Sequence, residues 1–235
     1  MSEAIVIDHR YCGPPDAGNG GYVGGILARR LGGTVEANFR RPVPLDRDLQ
    51  LDRGSNGALR LHDHGNLLVE AAPSTVTLAV PEAPTLHEAA AASGRHLGRV
   101  MRTPFVRCFG CGLERGAGYG LRIFAGPSDR ENLYAAPWLP ESTFADADGR
   151  VRPEFVWASL DCSAGFALMG LRLRTFVTAQ LAVDIRELPC TGVPYVIAAW
   201  VVGRGERKNE CGTALFAIDG RLLALARSLW IEVGT

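Results

Sequence analysis

The chain has 235 residues, with 25 Lys and Arg against 25 Asp and Glu, so its formal net charge is zero. That length admits one large domain or two small ones, and an apolar share of 47% beside 21% charged residues fills a core and excludes a disordered polyampholyte. Zero net charge removes the basic excess on which phosphate-dominated nucleic-acid binding depends, leaving small molecules and proteins as expected partners.

The first residues, MSEAIVIDHR, hold no apolar signal-peptide core. Six scattered cysteines then read as the reduced thiols of a cytoplasmic protein. The longest apolar run, Val193 to Val202, contains Pro194 and stops at Gly203, short of the roughly 20 residues that cross a bilayer. No membrane span is expected.

In chain order, the first predicted element is a helix over Gly21 to Leu31 (GYVGGILARRL), followed by an alternating run, Thr34 to Pro44, that reads as a strand. His64-Gly65-Asn66-Leu67-Leu68-Val69-Glu70-Ala71 reads as a hairpin turn leading into a strand at Ser74 to Val80. An Ala-rich helical stretch, Thr85 to Val100, is broken at Ser93-Gly94 and gives way to a Gly-rich segment ending at Gly126. The pattern then repeats. A helix over Glu154 to Leu173 carries Phe155, Leu160, Ala164 and Leu168 at helical spacing, and Thr178 to Pro189 is a second alternating strand. Asp219-Gly220-Arg221-Leu222-Leu223-Ala224-Leu225-Ala226 parallels the first hairpin and runs on into Ser228 to Val233. Two related units follow, residues 1–100 and 101–235.

Two segments carry chemistry. Cys12-Gly-Pro-Pro-Asp-Ala-Gly-Asn-Gly-Gly-Tyr22 packs prolines, glycines and small polar residues ahead of the first helix. With Asn19 as N-cap, Gly20 and Gly21 offer unpaired N–H groups where the helix dipole favours negative charge, suited to a phosphate or a polarised carbonyl oxygen. A dinucleotide fingerprint over Gly18 to Gly24 is excluded, because CGPPDA is no apolar strand. In the second unit, Asp161 stands in an otherwise apolar helix between uncharged neighbours, so no adjacent ion pair accounts for it.

These residues resemble the hotdog-fold acyl-CoA thioesterases, which open their central helix with His-Gly-Gly and place a catalytic Asp seven residues after the second glycine. In the first unit Asn19-Gly20-Gly21 matches that helix start, with Asn19 in place of the His, while the acid position falls on Ala28. In the second unit Asp161 holds the acid position, and Arg152-Pro153-Glu154 replaces the helix start. Cys108-Phe-Gly-Cys-Gly112 followed by Tyr119-Gly-Leu-Arg-Ile123 is similar to a strand lead-in of many hotdog proteins.

The resemblance, over about residues 10 to 235, implies an α+β fold of two tandem hotdog domains, each an antiparallel sheet wrapped around a central helix, forming a pseudo-dimer. It implies hydrolysis of an acyl-CoA or related thioester at one composite site, with Asn19, Gly20, Gly21 and Asp161 as its catalytic residues and no cofactor. Relatives carry a hydroxyl one helical turn past the acid; here that position is Gly165, and Ser163 is the nearest substitute. Arg29, Arg30, Arg40 and Arg41 are candidates for the nucleotide phosphates. A non-catalytic acyl-thioester binding module and an enoyl-thioester hydratase are the competing readings. An exposed sheet edge would favour a homodimer of such chains.

The remaining features read as structure. Cys108-x-x-Cys111 has metal-ligand spacing but no second pair to complete a zinc site, so a turn and no metal is expected. His62 and His64 fall on the hairpin, His87 and His96 in the Ala-rich connector without a partner, and the four tryptophans in the core.

Overall fold

The computed structural model of the protein describes residues 3–101, 103–172 and 174–233. In chain order it contains β1 (Glu3–Val6), α1 (Gly20–Leu31), β2 (Val35–Phe39), β3 (Asp48–Arg53), β4 (Leu59–Asp63), β5 (Asn66–Pro73) and α2 (Leu86–Gly94). There follow β6 (Gly126–Pro127), β7 (Tyr134–Trp138), α3 (Pro153–Ser159), α4 (Cys162–Arg172), β8 (Thr175–Ile185), β9 (Tyr195–Arg204), β10 (Lys208–Ala217) and β11 (Leu222–Val233). No described helix is long and apolar enough to cross a membrane.

All the strands join one 11-stranded antiparallel sheet in the order β1-β3-β4-β5-β2-β8-β11-β10-β9-β7-β6. The centre is the β2–β8 pair, where Val35 to Asn38 face Val183 to Gln180. Outward from that seam the orders β2-β5-β4-β3 and β8-β11-β10-β9 mirror each other, so the sheet is near-symmetric about it. The β4–β5 turn puts His64 and Gly65 at positive φ, 46° and 80°, which is what a two-residue hairpin of this hand requires.

Where the helices meet, glycines decide the distance. A Cβ on Gly21 would lie 2.6 Å from the Trp157 carbonyl oxygen, on Gly24 2.8 Å from the Trp157 ring, and on Gly25 2.5 Å from Glu154 Cα. These three glycines occupy one face of α1, and bare backbone there lets α1 and α3 press together. Trp157, Phe155 and Phe109 are buried against the contact. Tyr22 stacks on Tyr11 at 3.8 Å beside them.

Several expectations change. Ser74 to Val80 is not a strand: β5 lies upstream and runs out of partner where Pro73 meets Val35. The alternation has another use, since Val76, Leu78 and Val80 cover an outer apolar face built on Val196, Ala198, Trp200 and Phe216. The Glu154 to Leu173 helix is two helices. α3 stops at Ser159, and the Leu160 carbonyl, next in line, accepts from Thr213 Oγ1 of β10 at 2.7 Å; Leu173 lies outside the described residues. The strands β1, β3, β6, β7, β9 and β10 have no counterpart among the predicted elements. The Ala-rich connector does end at Gly94 as α2, capped by Thr85 with Glu88 closing a capping box. It packs on β7 and β9. All four tryptophans are buried.

His96, expected to lack a partner, is 1% exposed, packs its ring 4.2 Å from Phe166, and sets Nδ1 2.7 Å from the Ala125 carbonyl oxygen. A carbonyl only accepts, so Nδ1 carries the proton of a neutral ring. Burial, aided by the Arg99 charge, holds its pKa below the usual 6.5 against the pull of the Ala125 bond. The unfolded chain therefore binds more protons below about pH 6.5, and the contribution of neutral His96 is complete above that pH and lost as the pH falls through it. Urea unfolding at about pH 7.5 and about pH 5 should show a shallower loss of stability in His96→Gln than in the parent chain; equal pH slopes would remove His96 from the acid response.

The helix contact makes a separate prediction. Gly25→Ala should lower stability by about 1–3 kcal/mol through overpacking, although alanine is the better helix former by about 1 kcal/mol. Gly94→Ala, where a Cβ meets open space, should be neutral or stabilising. Denaturant midpoints that fail to separate the two variants would contradict the close contact.

Candidate active site

The loop before α1 is held by its own backbone. Gly13 N–H donates to the Ala17 carbonyl at 2.8 Å, Gly18 N–H to Val43 at 2.8 Å, and Asn19 N–H to Tyr11 at 2.8 Å. These bonds fix Asn19 in extended geometry (φ −61°, ψ 127°) as the N-cap of α1, its Oδ1 accepting from Tyr22 N–H at 2.9 Å. Asn19 is 2% exposed, so its remaining amide group must also find partners inside the protein.

Those partners come from the other half of the chain. Asp161 sits in the break between α3 and α4 and is 3% exposed. Its Oδ2 accepts from Gly21 N–H at 2.9 Å and from Asn19 Nδ2 at 3.3 Å, and its Oδ1 from Thr178 Oγ1 of β8 at 2.6 Å. Burial pushes the carboxyl up to about 6; the Thr178 and Gly21 donors oppose the shift, the Cys108 charge adds to it, and the Asn19 amide opposes it. Gly21 N–H is thus committed to Asp161. The expectation of two open donors at this helix start is corrected to one, because Gly20 N–H has no acceptor among the described residues.

The carboxylate and Gly20 lie on the wall of a cavity of about 410 Å³ whose lining is mostly apolar, with Phe166, Met169, Phe176 and Trp230 prominent. Arg40 and Arg41 stand at the same cavity, exposed and without an ion pair among the described residues. Arg29 and Arg30 do not. Arg29 pairs with Glu154 at 3.4 Å and Arg30 with Glu3 on the protein surface.

Solved structures match the chain over nearly its whole length, three bacterial proteins among them. A candidate thioesterase of Novosphingobium aromaticivorans aligns at 15% identity and TM-score 0.66, covering 99% of this chain and 96% of that one. A candidate thioesterase II of Thermobifida fusca aligns at 14% identity and TM-score 0.63, over 99% and 92%. The TesB protein of Mycobacterium avium subs paratuberculosis aligns at 13% identity and TM-score 0.62, over 99% and 93%. The chain has the fold of these thioesterases. No protein-family model and no curated protein matches it.

Within this thioesterase fold, two features escape the sequence. Thr178 supplies the hydroxyl on the acid, from a strand 17 positions along. Ser163, the nearest hydroxyl in sequence, is buried with its Oγ unpartnered and does not line the cavity, and a Cβ on Gly165 would lie 2.9 Å from the Trp230 ring. The second feature is a third thiol. The Sγ atoms of Cys108, Cys111 and Cys162 all lie within 4.8 Å of one another, Cys108 and Cys162 at 3.4 Å, so the CxxC turn has the companion that sequence spacing denied it. Hydrogen bonds from the Cys111 and Cys162 thiols and from the Cys111 and Gly110 backbone hold Cys108 well below the usual thiol pKa, and the donated protons leave Cys111 and Cys162 above it. An exposed trio, Asp8, His9 and Asp46, is the other group of metal-ligand type among the described residues.

Proposed function

We propose that the chain is an acyl-CoA thioesterase built as a double hotdog, with units 1–100 and 101–235 standing in for the two subunits of a dimer. The observation that carries this reading is the meeting of Asp161, from the second unit, with the Asn19-Gly20-Gly21 helix start of the first, beside one apolar cavity. The thioesterase fold of its structural relatives supports it. Six free cysteines suit the reducing cytoplasm.

In this mechanism the acyl chain lies along the apolar cavity and the thioester carbonyl faces Gly20 N–H at the positive end of α1. The lone pair left open on the acid supports a role as general base. Oδ2 of Asp161 uses both of its acceptor sites on Gly21 and Asn19, while Oδ1 spends one on Thr178 and keeps one. A water bound at that site gives its proton to Oδ1 as its oxygen attacks the carbonyl carbon. Asp161 is the general base. The carbonyl oxygen takes up negative charge, which the Gly20 N–H and the helix dipole stabilise. Collapse of the tetrahedral intermediate breaks the C–S bond, and the departing thiolate takes the proton held on Asp161 Oδ1, which restores the base. Arg40 and Arg41, exposed at the cavity and without an ion pair among the described residues, would meet the phosphates of the nucleotide. An enoyl-thioester hydratase wants a histidine beside the acid, and no described residue lining the cavity is one.

Purified protein should release thiol from a member of an acyl-CoA panel, and Asp161→Asn should cut kcat by about 10²- to 10⁴-fold with an unchanged circular dichroism spectrum. Wild-type turnover in that variant would exclude Asp161 as base. Thermal stabilisation by CoA esters without any thiol release by the parent chain would identify a binding module instead.

The donor has its own test in Gly20→Pro, which deletes one N–H. Proline is tolerated at the first helical position, and the Asn19 angles are those a residue before proline adopts. Loss of a single oxyanion donor should lower kcat by about 10²- to 10³-fold. A variant that folds and keeps the parent kcat would assign the carbonyl to another donor.

A further inference from the structure

We propose that Cys108, Cys111 and Cys162 form a zinc site in the cavity wall, with three thiolate ligands and a fourth coordination position open to the cavity. The three sulfurs arrive from two segments far apart in the chain, a turn and the first residue of α4, and converge on one point. Zinc–thiolate bonds of about 2.3 Å in tetrahedral geometry put sulfurs about 3.8 Å apart. Here all three lie within 4.8 Å of one another, with one pair at 3.4 Å, so a central ion needs adjustments of less than about 1 Å.

The turn is shaped for this. Gly112 N–H donates to the Cys108 carbonyl at 2.8 Å, closing the turn that carries Cys108 and Cys111. Gly110 and Gly112 are both sterically required. A Cβ on Gly112 would sit 2.6 Å from the Cys108 carbonyl oxygen, and one on Gly110 would sit 2.8 Å from Cys162 Sγ, blocking the approach of the third ligand.

The surroundings fit the same ion. Asn19 Nδ2 lies 3.6 Å from Cys162 Sγ and 3.9 Å from Cys108 Sγ, an amide donor to two ligands. Cys12 is turned away, its Sγ against the Arg107 carbonyl and the Arg115 guanidinium, so no fourth thiol closes the site. All three ligands line the cavity. Three protein ligands with one open position are the pattern of zinc sites that meet water or substrate, and sulfur donors select zinc over magnesium or calcium. This goes beyond the hydrolase reading and does not depend on it.

The test uses the whole chain and no substrate. Protein purified from zinc-supplemented culture should carry one zinc per chain by plasma mass spectrometry, and the zinc-free chain should develop a thiolate-to-cobalt charge-transfer band with Co(II). Cys162→Ser, which leaves the turn intact, should lose both signals, while Cys190→Ser, an exposed cysteine outside the cluster, should keep both. In the parent chain, zinc should protect Cys108, Cys111 and Cys162 from alkylation by N-ethylmaleimide, read by peptide mass spectrometry, and a chelator should remove that protection. This arm stands even if Cys162→Ser fails to fold. A folded parent chain with neither zinc nor a cobalt band, a Cys162→Ser chain that keeps both, or thiols alkylated equally with and without zinc would each overturn the site. None of these readings depends on thioester turnover, so the site and the hydrolase can fail separately.

Discussion

Bare backbone between two helices is the constraint on which the site rests. Gly21, Gly24 and Gly25 remove the side chains that would hold α1 away from α3, and the gain is proximity between segments that no local interaction could bring together. Only at this spacing does the α1 helix start reach Asp161 across the break between α3 and α4. The energetic logic runs in both directions. A buried carboxylate without donors is costly, so Gly21 N–H and the Asn19 amide compensate Asp161; the helix start in turn finds an acceptor for N–H groups that the helix leaves unpaired. The contact is structural and chemical at once.

The sheet makes the same junction from the other side. β2 and β8 carry a polar seam in which Gln180 donates to Glu36 and to Asn38 at 2.9 Å each, and Arg227 of β11 lies 3.3 Å from Glu36. Thr178 stands two residues before Gln180 on β8, but the strand is irregular between them, with Leu229 paired to Gln180 and Trp230 to Thr178, so Gln180 meets Glu36 and Asn38 while the Thr178 hydroxyl reaches Asp161. A one-residue slip would turn Thr178 to the opposite face. Helix contact and strand register are therefore two independent clamps on one carboxylate.

What could be read from the sequence was local. The two hairpin turns, the start of α1, the end of α2 at Gly94 and the core of β8 each rest on neighbouring residues whose preferences agree with the fold. The failures are non-local. Alternation at Val76, Leu78 and Val80 is real, but its apolar side covers the outer face of a sheet instead of pairing within one. The break after Ser159 depends on Thr213 taking the Leu160 carbonyl, a bond from a strand 53 positions away. Asp161 and the glycines could be singled out because a charge in an apolar run and a glycine cluster before a helix are anomalies in one dimension. Thr178 and Cys162 are ordinary residues in their own segments, and only three dimensions give them company.

Asn19 is where these threads meet, and its chemistry explains why an amide suits the position. It must accept one hydrogen bond to cap α1, from Tyr22 N–H, and its nitrogen faces Asp161 on one side and the sulfurs of Cys108 and Cys162 on the other. An asparagine offers one carbonyl acceptor and two N–H donors, while a neutral imidazole offers one acceptor and one donor. A histidine here could cap the helix and serve the carboxylate, or cap it and serve the thiols, but could not serve all three. The substitution that sets this chain apart from the hotdog pattern thus matches the other departure beside it, the convergence of three thiols on the same wall: an amide with a second donor belongs where there is a second group to hold.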